Sequence, residues 1–178
     1  MLTKPDTARL FFAAWPAPEI QRALGNLGQS LQRQCGGKAT PARNIHLTLV
    51  FLGDVARDRL ARLEALATAV TAQRFSLDVD RVEYWRHNRI VWAGVGRSPE
   101  ALPELVQRLE SGLSSADFRF DRRAYAPHIT LLRNARRAPA NATMRTIAWP
   151  VSRFALVESV KREKGRAYEV LKEWPLTA

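Results

Sequence analysis

His46-Leu47-Thr48-Leu49 and His128-Ile129-Thr130-Leu131 share one pattern: a histidine, an aliphatic residue, a threonine and a leucine. They use two of the three histidines in a chain of 178 residues, and the second lies 128 − 46 = 82 positions after the first. Each sits in a short apolar run that reads as a strand, Asn44 to Gly53 in the first case and onward from Pro127 in the second. Side chains at i and i+2 of a strand share a face. His46 and Thr48 therefore point one way while Leu47 and Leu49 point into the interior. His128 and Thr130 repeat this, with Ile129 and Leu131 behind them.

The flanking sequence repeats as well. Arg9 to Trp15 is an apolar strand stopped by Pro16, and Pro18-Glu19 opens a helix to about Gln34 with Ile20, Leu24, Leu27 and Leu31 at helical spacing. Asp58 to about Thr71 reads as a second helix. Phe75 to Trp85 alternates as a strand, turns at Arg86-His87-Asn88 and returns as Arg89 to Val95. That returning strand and the Ser98-Pro99-Glu100 helix start mirror the opening, since Pro99 lies 99 − 18 = 81 positions after Pro18. The helix from Pro99 to about Leu113 leads through a loop to the second histidine strand. Arg153-Phe154-Ala155-Leu156 then echoes Arg74-Phe75-Ser76-Leu77, and Arg166 to Trp174 is a final strand. A long unit present twice is not a solenoid. It predicts an α+β fold of two similar lobes about a pseudo-twofold axis with an internal groove. Arg133 to Arg137, with Pro139, is the candidate flexible segment.

The chain is 46% hydrophobic, enough for one good core, and its 28 basic against 17 acidic residues leave a net charge of +11. A field of that sign attracts polyanions, nucleic acid first, and its arginines suit bidentate phosphate contacts. Cys35 is the single cysteine, so disulfides and cysteine-based zinc sites within the chain are excluded. Beside Gly36-Gly37 it is expected to be an exposed, incidental thiol. Met1 to Asp6 has no apolar signal core and no stretch approaches a membrane span, which points to the cytoplasm. Walker, dinucleotide-binding, His-Glu-x-x-His and Gly-x-Ser-x-Gly motifs are all missing from the sequence.

A histidine beside threonine on a strand is, alone, an ordinary half-buried polar residue. Two at matched positions of a duplicated lobe face each other across the axis. One imidazole can then protonate a leaving oxygen while the other takes a proton from an attacking one, and the threonine hydroxyls can bind a non-bridging oxygen. This opposition suits in-line displacement at phosphorus without a metal or cofactor. The two motifs are nearly symmetric, so the residues alone leave open which histidine is the acid. Arg133, five residues after His128, is a candidate phosphate ligand; its counterpart after His46 is Phe51. His87 reads as a solvated turn residue, with contact to nucleic acid alongside Trp85 as the alternative. The five tryptophans are expected to be mostly core.

Two His-x-Thr-Leu motifs, one per half, resemble the two-histidine (2H) phosphoesterase superfamily. Arg9-Leu10-Phe11-Phe12-Ala13, His46 to Gly53 and Ala126 to Arg133 narrow this to the bacterial RNA 2′,3′-cyclic phosphodiesterases, first named 2′-5′ RNA ligases. The resemblance spans about Arg9 to Trp174. It implies a bilobal fold with antiparallel sheets lining a central groove and helices outside, residues 1–178 forming one such domain. It implies hydrolysis of a terminal RNA 2′,3′-cyclic phosphate to a 2′-phosphate, with His46 as proton donor, His128 as proton acceptor and Thr48 and Thr130 binding the phosphate. The partner would be RNA, tRNA fragments included, handled by a monomer. Two alternatives stand beside it: 2′-5′ joining of tRNA halves in the same groove, and a non-catalytic RNA- or nucleotide-binding module.

Overall fold

A computed structural model of the chain describes residues 6–140, 143–163 and 165–178; Met1 to Pro5, part of the segment read above for a signal core, lie outside them. Two antiparallel sheets hold the described strands. The first has the order β3-β1-β8-β9, built from β1 (Thr7–Ala14), β3 (Leu47–Ala56), β8 (Arg153–Arg162) and β9 (Gly165–Pro175). The second has the order β2-β6-β5-β4-β7, built from β2 (Lys38–Ala39), β4 (Phe75–Trp85), β5 (Ile90–Val95), β6 (Ile129–Arg133) and β7 (Ile147–Val151). Laid side by side, β3-β1-β8-β9 matches β6-β5-β4-β7 strand for strand, and the two histidine strands occupy equivalent places. This is the pseudo-twofold predicted from the repeat.

The helices are exchanged between the lobes. α1 (Pro18–Cys35) leaves β1 of the first sheet yet packs on β6 and β7 of the second. α3 (Ala101–Ser115) leaves β5 of the second sheet and packs on β3 of the first, beside α2 (Leu60–Ala69). Small residues allow the close approach of α1: a Cβ on Gly28 would lie 3.4 Å from the carbonyl oxygen of Leu131, directly behind the second histidine motif. α1 has Pro18 in its first turn and Glu19 beside it, and it stops at Gly36, whose φ of +69° breaks the helix. One buried cluster, with Phe12, Leu24, Leu105, Leu131, Trp149 and Phe154 among its members, runs behind both sheets.

β1 is apolar on both faces for a reason. Leu10, Phe12 and Ala14 join the main core, while Phe11 and Ala13 form a second cluster with Ala155 and Val157 on the opposite face of the sheet.

Several expectations need correction. Cys35 is buried, not exposed: it is the last residue of α1, 1% accessible, and burial pushes its thiol pKa up. Arg133 to Arg137 is not a loose linker. Ala135 is buried and its N–H donates to the carbonyl of Arg89, the N–H of Arg136 donates to Cys35, and the Arg137 guanidinium donates to Gln34. Strands β2 and β7 escaped the sequence reading, because one has two residues and the other contains Pro150 at a sheet edge.

Candidate active site

The inner faces of the two sheets enclose a cleft of about 520 Å³. All five residues singled out in the sequence, His46, Thr48, His128, Thr130 and Arg133, line it, and so does Phe51. Leu47, Leu49, Ile129 and Leu131 are buried behind them, as the i, i+2 rule requires.

Strict alternation would not have brought Arg133 there. Counting by twos from His128 gives Thr130 and then Leu132, leaving Arg133 directed at the core. The strand register resolves this: Val91 pairs with Leu132 but Trp92 pairs with Thr130, so Leu131 is an extra residue in β6. The first motif has the same irregularity, since Phe12 pairs with Val50 and Ala13 with Thr48, making Leu49 the extra residue in β3. Each bulge lets two consecutive residues face inward, Leu49-Val50 and Leu131-Leu132, all buried. The residue five after each histidine thereby returns to the cleft face. In one lobe this is Phe51, in the other Arg133.

Both imidazoles are held in the same way. Nδ1 of His46 lies 2.7 Å from the carbonyl oxygen of Asn44, and Nδ1 of His128 lies 2.9 Å from that of Ala126. A carbonyl only accepts, so Nδ1 carries the proton in both rings and Nε2 keeps a lone pair when the ring is neutral. The Thr48 hydroxyl, 3.1 Å away, can donate to Nε2 of His46. Burial lowers the His46 pKa to about 4; the Asn44 carbonyl opposes this, and positive charge on Arg133 and His128 adds to it. His128 is lowered too, by burial first and then, against the Ala126 hydrogen bond, by Arg133 and Arg123. One guanidinium thus acts on both imidazoles. The cleft is cationic and favours the neutral form of both imidazoles, a setting that an anion would relieve.

Comparison with known proteins agrees with the family resemblance. The sequence model of the 2′-5′ RNA ligase superfamily matches residues 16–163. The chain belongs to that superfamily. Among its relatives, an RNA 2′,3′-cyclic phosphodiesterase of Escherichia coli (strain K12) is 32% identical over 176 residues, covering 97% of this chain and 98% of that protein. A protein of the same name from Archaeoglobus fulgidus is 30% identical, covering 92% of this chain and 98% of its own length. The crystal structure of E. coli LigT complexed with 3′-AMP superimposes with a TM-score of 0.89 at 30% identity, covering 97% of this chain and 100% of that one.

In this superfamily member the tryptophans depart most from expectation. Trp149 and Trp174 are core, but Trp15, Trp85 and Trp92 are half-buried around the histidines. The His46 ring stacks on Trp15 at 5.5 Å and 8° and meets Tyr168 edge-on at 5.0 Å, with Phe11 4.8 Å away. His128 meets Trp85 edge-on at 4.6 Å and Trp92 at 6.3 Å. Trp92 pairs with Thr130 as Ala13 pairs with Thr48, and Phe11 lies two residues before Ala13 on the same face of β1. The two aromatic settings are therefore not copies of each other, and the 81-position offset of the helix starts does not carry over to the register of these strands. Asn44 had no signal in the sequence. It is the one buried polar residue among those described, and its side chain donates to the carbonyl of Arg166 on β9 at 2.9 Å, fixing the carbonyl that orients His46. Tyr125 was also missed: its hydroxyl donates to the Thr48 carbonyl at 3.2 Å, linking the approach to β6 with β3. His87 lies exposed in its turn, its ring 6.3 Å from Trp85.

Proposed function

We propose that this protein hydrolyses the 2′,3′-cyclic phosphate at the end of an RNA strand to a 2′-phosphate, by acid–base catalysis between His46 and His128 and without a metal ion. The doubled site carries the reading: two imidazoles tied through Nδ1 to their own backbone, each with a threonine hydroxyl on its face, in one cleft under the charge of Arg133. Nε2 of neutral His128 takes a proton from the attacking water. The bond from phosphorus to O3′ breaks, and His46, protonated at Nε2, gives its proton to that oxygen. The product is a 2′-phosphate with a free 3′-hydroxyl. Thr48, Thr130 and Arg133 hold the non-bridging oxygens.

The assignment of acid and base rests on the family resemblance. Its ionisation requirement has a physical source: the phosphodiester anion offsets the cationic field that keeps His46 neutral, so substrate binding favours the imidazolium the step needs. A depressed pKa also makes that imidazolium a strong acid toward a departing alkoxide. An RNA 5′-hydroxyl in place of water would instead form a 2′-5′ linkage in the same cleft. The residues that carry this reading all belong to one chain, so it calls for no second subunit.

The test is turnover of an RNA ending in 2′,3′-cyclic phosphate, in EDTA, by wild type and by His46→Ala and His128→Ala. Each substitution is expected to cost on the order of 10²–10⁴ in rate, with a 2′-phosphate as the wild-type product. Full turnover in both variants overturns the acid–base pair, and loss of wild-type activity in EDTA overturns metal independence. Binding without turnover would make the protein an RNA-binding module.

A further inference from the structure

We infer that a basic track outside the cleft binds the RNA strand on the 5′ side of the reacting end, making longer RNAs rather than mononucleotides the preferred substrates. The inference rests on the cyclic-phosphate reading above. It starts from the distribution of charge. Between Glu19 and Asp54, between Glu83 and Glu100, and between Asp121 and Glu158 the sequence has no acidic residue, and the last of these stretches alone holds seven arginines.

The fold brings parts of these three stretches together at one end of the cleft. Lys38 on β2 stands directly opposite Arg133 on β6, and both line the cleft. Like charges facing each other across a strand pair are destabilising without an anion between them. Two residues past Arg133, the N–H of Ala135 donates to the carbonyl of Arg89 at 3.0 Å, which joins the loop after β6 to the β4–β5 turn. The other end of that turn is rooted beside the site, where the Trp85 ring lies 4.6 Å from that of His128. Arg86, Arg89 and Arg136 are exposed here, and among the described residues none of them forms an ion pair. Cations left without carboxylates and continuous with a phosphate cleft fit a polyanion that extends out of it. A strand whose 3′ end reacts at His46 and His128 leaves the cleft in its 5′ direction, and this path offers it charge.

The triple variant Arg86→Gln, Arg89→Asn, Arg136→Met removes the charge gently. Arg89 has φ +57°, a conformation asparagine accepts, and methionine keeps the stem that lies against Gly36. Turnover would be compared on a nucleoside 2′,3′-cyclic phosphate and on an oligoribonucleotide of about six residues with the same end. The expected result is an unchanged mononucleotide KM, a rise of about tenfold in the oligonucleotide KM, and a salt slope for the oligonucleotide lower by about 2. Equal effects on both substrates, or none, overturn the track. The wild type supplies an independent reading: the same KM and salt slope for both substrates would also overturn it. Turnover of neither substrate by wild type would instead overturn the cyclic-phosphate reading.

Discussion

His46 is kept neutral by its neighbours. Its ring is packed among Phe11, Trp15 and Tyr168, and a proton there places charge among aromatic rings and under the field of Arg133. The folded protein therefore refuses, down to about pH 4, a proton that the unfolded chain accepts near pH 6.5. A folded-state pKa below the unfolded value contributes stability that is present above pH 6.5 and lost as pH falls toward 4. For His46 that loss is up to about 3 kcal/mol, and His128, lowered in the same direction, adds to it. Urea unfolding at pH 7 and at pH 4.5 should show a steeper acid loss for wild type than for His46→Gln. Parallel losses in the two proteins would refute the burial argument. The same residue is thus a cost at acid pH and, in the proposed mechanism, the acid itself.

At the scale of elements, the two bulges decide what the histidine strands present. Leu49 and Leu131 each add one residue, and the position five after each histidine turns back to the cleft. The rung that seats Arg133 depends on a glycine as well. Gly37 has φ +80°, and a Cβ there would lie 2.6 Å from the carbonyl oxygen of Arg133 and 2.8 Å from the backbone nitrogen of Ala135. Both are backbone atoms that cannot rotate away. Gly37→Ala should cost about 2–4 kcal/mol, measured by thermal or urea unfolding, and should raise KM by displacing β2 and Arg133 together. A variant of wild-type stability would show that this segment gives way more easily than its geometry implies. Gly-Gly in the sequence marks a break in α1; only the register shows that the second glycine packs against the strand end that carries the cation.

At the scale of the whole molecule, helix exchange locks the lobes together. α1 follows a strand of one sheet and covers the other, α3 does the reverse, and the main core runs behind both. Phe12 sits in that core at 0% accessibility, with the rings of Phe154 and Trp174 each 6.1 Å away. Phe12→Ala should cost about 3–5 kcal/mol while far-UV circular dichroism and tryptophan fluorescence still report one coincident transition. Separate transitions for the two probes would mean that the lobes melt independently.

The sequence by itself determined the duplication, because the offset between the two halves survives in helix starts, strand ends and both histidine motifs, and it determined which leucines and threonines share a face, because strand periodicity is local. Family membership was legible for the same reason: the motifs are contiguous. Helix exchange, the strand order and the setting of Arg133 were decided by tertiary structure, since a bulge shows only as a mismatch between paired strands. Asn44, Tyr125 and the aromatic packing of the histidines likewise depend on groups far apart in the chain: 125 − 48 = 77 positions separate Tyr125 from Thr48, and 166 − 44 = 122 separate Asn44 from Arg166. The chemistry of the histidines is written in short motifs, but their protonation is set by burial and by charges that only folding brings near.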